Sequence, residues 1–154
     1  MLRAVDEPLR LTEADTLVVG YVSDFSALLR AVDETMPKDS TLCLEGTSIT
    51  PDVVSFLERR QAPVQSAIAP NTLWPKPRFF HLSLAGTDLR KLRELAERHA
   101  EPEIADHLVV YRGEHVLLWA HDAGCGYVEV SNSLPEETIE RFRAALGSAV
   151  RPEK

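Results

Sequence analysis

The chain has 154 residues, 44% of them apolar and 27% charged, with a formal net charge of −7 at pH 7. These fractions belong to a folded globular protein rather than a disordered one, and a chain of this length buries roughly 70% of the surface its unfolded form exposes. The acidic excess disfavours nucleic acid and anionic membranes, both of which present phosphate charge, and is compatible with a basic protein partner.

The N-terminal stretch MLRAVDEPLRLTEAD is too polar for the apolar segment of a signal peptide. No apolar run is long enough to span a membrane. With two cysteines and no export signal, the expected setting is a reducing cytoplasm, without a disulfide framework. Thr16–Val22 is a nearly continuous apolar run and reads as a buried strand. Ser23 or Asp24 then caps a helix whose apolar stripe is Phe25, Leu28, Leu29, Val32 and Met36. Pro37 and Asp39 close it, and Thr41–Glu45 makes a second buried strand with Cys43 as core packing. Strand, helix, strand with both strands apolar predicts a parallel crossover.

Thr50-Pro51-Asp52 is a helix start: a capping hydroxyl, a proline in the first turn and an acid at the positive end of the dipole. Val53, Phe56 and Leu57 are its buried stripe, and Pro63 ends it. Leu42–Leu57, LCLEGTSITPDVVSFL, resembles one leucine-rich repeat unit. No second copy recurs at a fixed period, and such repeats need stacked neighbours to bury a core. Val64–Ile68 reads as a short strand. Pro70, Pro75 and Pro77 then surround Trp74 and make residues 70–77 a connector, with Trp74 expected to tack it to the core.

Arg78–Leu84 is a strand with Phe80, Leu82 and Leu84 on one face and Phe79, His81 and Ser83 on the other. The helix that follows Asp88 buries Leu89, Leu92, Leu95, Ala96 and His99. Leu108–Arg112 and His115–His121 form a hairpin about Gly113-Glu114. A two-residue turn sets Tyr111 against Val116, Val109 against Leu118 and Leu108 against Trp119. Tyr127–Ser131 alternates apolar and polar residues, as a strand with one wet face at a sheet edge does. Ser133 and Glu136 are spaced as a capping box for a last helix that buries Ile139, Phe142, Ala145 and Leu146, and the tail RPEK is expected to fray. The fold class is α/β (α+β): a mixed sheet with an antiparallel three-strand meander in the C-terminal half and helices packed on it. Residues 1–154 are read as a single domain, with the alternative of two βα lobes, 1–69 and 78–150, joined by 70–77.

Nucleotide-binding patterns, a nucleophile elbow and the common zinc spacings are all missing, so no cofactor or metal is expected. His115 and His121 share a face in the register above, but six residues of strand hold them about 20 Å apart, too far for one ion. His121, Asp122 and Cys125 are near enough in sequence to form a thiolate–imidazole site oriented by a carboxylate. His81 and His107 can meet if their strands are neighbours. Glu45-Gly46-Thr47-Ser48 follows a strand end, where open α/β sheets place ligands. With no catalytic pattern, the expected function is a non-catalytic protein-binding or regulatory module, acting on or inhibiting a basic partner. Its binding residues would be Trp74, Tyr127, Glu129, Glu136, Glu137 and Glu140, and the Tyr127–Ser131 edge would serve a homodimer if the chain is not a monomer. The alternative is a small enzyme or a ligand- or metal-binding protein using His121, Asp122 and Cys125.

Overall fold

The computed structural model describes residues 8–11, 15–63, 65–70, 74–99, 104–121 and 126–151. Seven strands form one sheet: β1 (Thr16–Val22), β2 (Thr41–Gly46), β3 (Arg78–Ser83), β4 (His107–Arg112), β5 (His115–Ala120), β6 (Tyr127–Ser131) and β7 (Val150–Arg151). Their spatial order is β3-β2-β4-β5-β6-β1-β7. Four α-helices lie wholly within the described residues: α1 (Phe25–Thr35), α2 (Pro51–Glu58), α3 (Leu89–Ala96) and α4 (Glu136–Leu146).

Every pairing between named strands is antiparallel. The expected parallel crossover is therefore of a split kind. Taken through the ladder, β1 and β2 do run in the same direction, but β6, β5 and β4 lie between them. In the same way β2 separates the parallel strands β3 and β4, and β1 separates β6 and β7. Each of these connections carries a helix, and α1 packs against both α3 and α4 on one face of the sheet. The main core joins their apolar stripes to Leu42, Leu44, Phe80, Leu82, Leu108, Val110, Leu118, Val128 and Val130.

Local signals explain most boundaries. Asp24 is the α1 cap, its carboxylate accepting the Ala27 backbone N–H at 3.2 Å. Asp88 does the same for Arg90 in α3 at 3.0 Å. Two expected caps do not form. Thr50 makes no side-chain bond. The capping box is replaced by a tight turn in which Ser133 donates its backbone N–H to Ser131 Oγ at 3.1 Å, so α4 begins after Pro135. Gly147, at φ +55°, ends α4.

Two register details shape the rest. The hairpin pairs Tyr111 with Val116 and Arg112 with His115, but an irregularity beyond Tyr111 then sets Val110 against Leu118, Val109 against Trp119 and Leu108 against Ala120. Leu117 is the extra residue of this bulge, and it throws His115 and His121 out of phase instead of leaving them on a shared face. In β1, Gly20 has φ +143° and its Cβ position falls 2.2 Å from the Arg151 carbonyl oxygen, so only glycine lets β7 pair there. β7 went unforeseen because two residues carry no alternation to read. It also ties Arg151, expected to fray, to Tyr21.

Tyr127–Ser131 is not an edge: β1 pairs along its outer side, from Thr16–Ser131 to Tyr21–Tyr127. Strand addition at that position is thereby excluded. The true edges are β3 and β7, and β3 is blunted where Ala62 donates its N–H to the His81 carbonyl at 2.7 Å.

Candidate functional site

Alternation along the strands divides the sheet's side chains cleanly. The helix-covered face is apolar, whereas Cys43, Glu45, His81, His107, Tyr111, Trp119, Tyr127, Glu129 and Ser131 all fall on the other face. That second face is covered by two short segments, 8–11 and 65–70, which meet at a parallel bridge between Leu9 and Ile68. Beneath them a smaller cluster joins Cys43, Ile68, Ala69, Val109, Tyr111, Val116 and Trp119, with Leu9, Leu11 and Phe79 packed against it.

At the β3–β2–β4 end the polar groups are sealed in. The Ser66 backbone N–H donates to the Tyr111 hydroxyl oxygen at 3.1 Å. The hydroxyl lies 2.7 Å from His81 Nδ1, and His81 Nε2 lies 3.8 Å from Cys43 Sγ. Two assignments satisfy this chain: the Tyr111 O–H donates to Nδ1 with the His81 Nε2–H facing the sulfur, or Nδ1–H donates to the Tyr111 oxygen with the Cys43 S–H facing Nε2. Burial pushes the Cys43 thiol far above its ordinary range, with the nearby Glu45 carboxylate adding to the effect. Burial likewise lowers the His81 imidazole and raises the Tyr111 phenol. All three groups are thus held neutral, and a neutral buried thiol is a poor nucleophile. Cys43 is the packing residue its sequence context suggests.

His81 and His107 do not meet. β2 runs between their strands, and His81 sits opposite Cys43 while His107 sits opposite Glu45. The Glu45–Ser48 turn is closed as well: Thr47 gives both its N–H and its hydroxyl to Asp106 Oδ2 at 3.0 Å, and Ile49 fills the space beside Gly46. It is a satisfied loop rather than a cleft.

At the β5–β6–β1 end the same face is open. Glu129 lies opposite Trp119, and its Oε1 is 2.9 Å from His121 Nε2. The His121 ring stacks on Trp119 with centroids 5.9 Å apart and planes 22° apart. Beside this pair lies a cleft of about 240 Å³ lined by Arg10, Leu11, Ala69, Pro70, Trp119, His121 and Glu129. Further out, Tyr21 and Tyr127 stack at 4.3 Å. Val18 and Tyr21 of β1 are 40% and 37% exposed on this face, whereas Leu17, 42% exposed, pairs with Val130 on the helix side.

Of the residues expected to act, Tyr127 and Glu129 share this open face. Glu136, Glu137 and Glu140 do not join them, since α4 lies in the helix layer, where all three are exposed. Trp74 is 85% exposed, so it is not tacked onto the core; it follows residue 73 into a cis Trp74–Pro75 bond at the surface. Asp122 and Cys125, the proposed companions of His121, lie outside the described residues. Among the described residues no group of three His, Cys, Asp or Glu side chains is placed to hold a metal ion, and no helix is long and apolar enough to cross a membrane. No family model matches the chain, and neither a curated protein nor a solved structure matches it.

Sequence reasoning missed the His121–Glu129 pair, the Tyr21–Tyr127 stack and the role of residues 8–11. The first had a faint signal in the alternation of Trp119 with His121 and of Tyr127 with Glu129, which places both polar tips on one face once β5 and β6 pair. The other two depend on contacts across more than fifty residues of chain, which no local pattern encodes.

Proposed function

We propose that this chain is a non-catalytic protein-binding module, acting in the cytoplasm on a partner with a basic contact surface. The observation that carries the reading is the β1 surface. Two of the four large apolar side chains that stand exposed among the described residues, Val18 and Tyr21, lie together on the open face of this strand, and Tyr127 extends them. Aromatic residues grouped on an otherwise polar surface are the usual anchors of protein interfaces. Glu129 borders the group, and the net charge of −7 favours association with a basic surface.

One observation favours the alternative of a ligand-binding or catalytic His121: the imidazole and the Glu129 carboxylate face a cleft. Size weighs against it. About 240 Å³ falls below the roughly 300–1,000 Å³ of small-molecule sites and suits one inserted side chain better.

Capture from native lysate with the wild-type chain and with a Val18→Asp/Tyr21→Asp variant tests the reading. A saltable, basic partner retained at least about tenfold less by the variant is expected, with Cys43→Ser retaining it fully. Equal retention by all three proteins would refute the β1 surface as the contact.

A further inference from the structure

We infer that the sheet face beneath residues 8–11 is a docking groove for an extended apolar–basic–apolar segment of a protein partner, and that Leu9-Arg10-Leu11 occupies it in cis. Residues 8–11 are bound there as an added strand is. The Leu9 N–H donates to the Ala67 carbonyl at 2.8 Å, and the Leu9 carbonyl accepts the Ala69 N–H at 2.9 Å. These bonds use backbone alone, so any extended chain can make them. Leu9 and Leu11 pack down on the cluster that holds Val116 and Trp119, while Arg10 between them stays exposed.

The groove continues past its occupant. Arg10 and Leu11 line both the cleft of about 240 Å³ and a second of about 250 Å³. Glu129 borders the first cleft, and Asp15 and Glu114 border the second. An arginine flanked on both sides by carboxylates, between two leucines that enter an apolar floor, defines what the groove selects. The inference goes beyond the β1 surface and does not depend on it, because the probe is a peptide of the chain's own sequence.

Two measurements test it. In native-state hydrogen exchange on the wild-type chain, the bonded amides of Leu9 and Ala69 are expected to open at least about 100-fold more often than those of Leu108, Val110 and Leu118, as a displaceable segment must. Protection equal to that of the core strands would overturn the inference and make 8–11 a fixed part of the fold. The second measurement follows Trp119 fluorescence in a Trp74→Phe background while a synthetic peptide carrying residues 6–13 is added. A Leu9→Asp/Leu11→Asp variant should bind that peptide at least about tenfold more tightly than the chain with its own segment in place, since a tethered competitor acts at roughly millimolar effective concentration. Reversing the peptide's arginine to glutamate should weaken binding about fivefold. No saturable change, or equal affinity for both proteins, would overturn the inference. If the double variant does not fold, the hydrogen-exchange result on the wild-type chain decides alone.

Discussion

The two faces of the sheet are built by different rules. Four helices cover one of them with leucine, valine and phenylalanine, and the cluster there contains no titratable group. The other face is covered by two short extended segments and carries every buried histidine and buried carboxylate among the described residues: Glu45, His81 and His107. The difference follows from the cover. A helix spends its backbone groups internally and offers only side chains, so it suits an apolar face. An extended segment brings unspent N–H and C=O groups, and polar side chains such as Tyr111 can meet them. Buried polar and titratable side chains are accordingly concentrated on the thinly covered face.

The contrast is sharpest in packing. Leu118→Ala, on the helix side, should cost about 2–5 kcal/mol in urea unfolding because the cavity is enclosed. Leu11→Ala, on the other side, should cost about 1 kcal/mol, since the side chain is only half-buried. Equal costs would mean that the second cover is as rigid as the first.

The middle-sized effect compares two tyrosines on the thinly covered face. Tyr111→Phe leaves His81 Nδ1 and the Ser66 N–H without their buried partner and should cost about 1–3 kcal/mol. Tyr127→Phe, at the half-buried stack with Tyr21, should cost less, about 0.5–1 kcal/mol. A large loss at Tyr127 would show that the open end is structural too.

The smallest effect is a pH dependence. Burial holds the His81 pKa below its ordinary 6.5. Between that lowered value and about pH 6.5 the unfolded chain binds more protons than the folded one, so stability falls as the pH drops below about 6.5. The limiting slope is about 1.4 kcal/mol per pH unit. His81→Asn should flatten this slope. A slope that persists unchanged in this variant would reverse the assignment of His81 as its source.

Much of this architecture is legible in the chain. β1 and β6 stand at the residues their apolar and alternating patterns mark, but β1, expected to be a buried strand, buries only Gly20 and Val22, because its apolar run lies near the sheet's edge. Strand order is not local. Apolar residues on both faces of β1 and β2 suit a parallel pair, but they occur equally in an antiparallel sheet covered on both sides at β2 and open at β1, which is what forms. The wet face of Tyr127 and Glu129 was readable, whereas the neighbour that removes their edge lies about a hundred residues upstream. The bulge at Leu117 also escaped, since nothing in HVLLWA distinguishes a regular strand from one with an extra residue. At the candidate site, His121 and Glu129 were each singled out, but their pairing required the β5–β6 register to be known.

The position of β1 has a consequence for the life of the chain before it is complete. β1 is made about a hundred residues ahead of both its neighbours, β6 and β7. The nascent chain therefore carries an apolar, β-prone segment that has no ladder to join until those strands follow. The sheet's β6-β1-β7 end is expected to assemble last, and loss of the two-residue β7 should raise aggregation of newly made chains more than it lowers the stability of those that have folded.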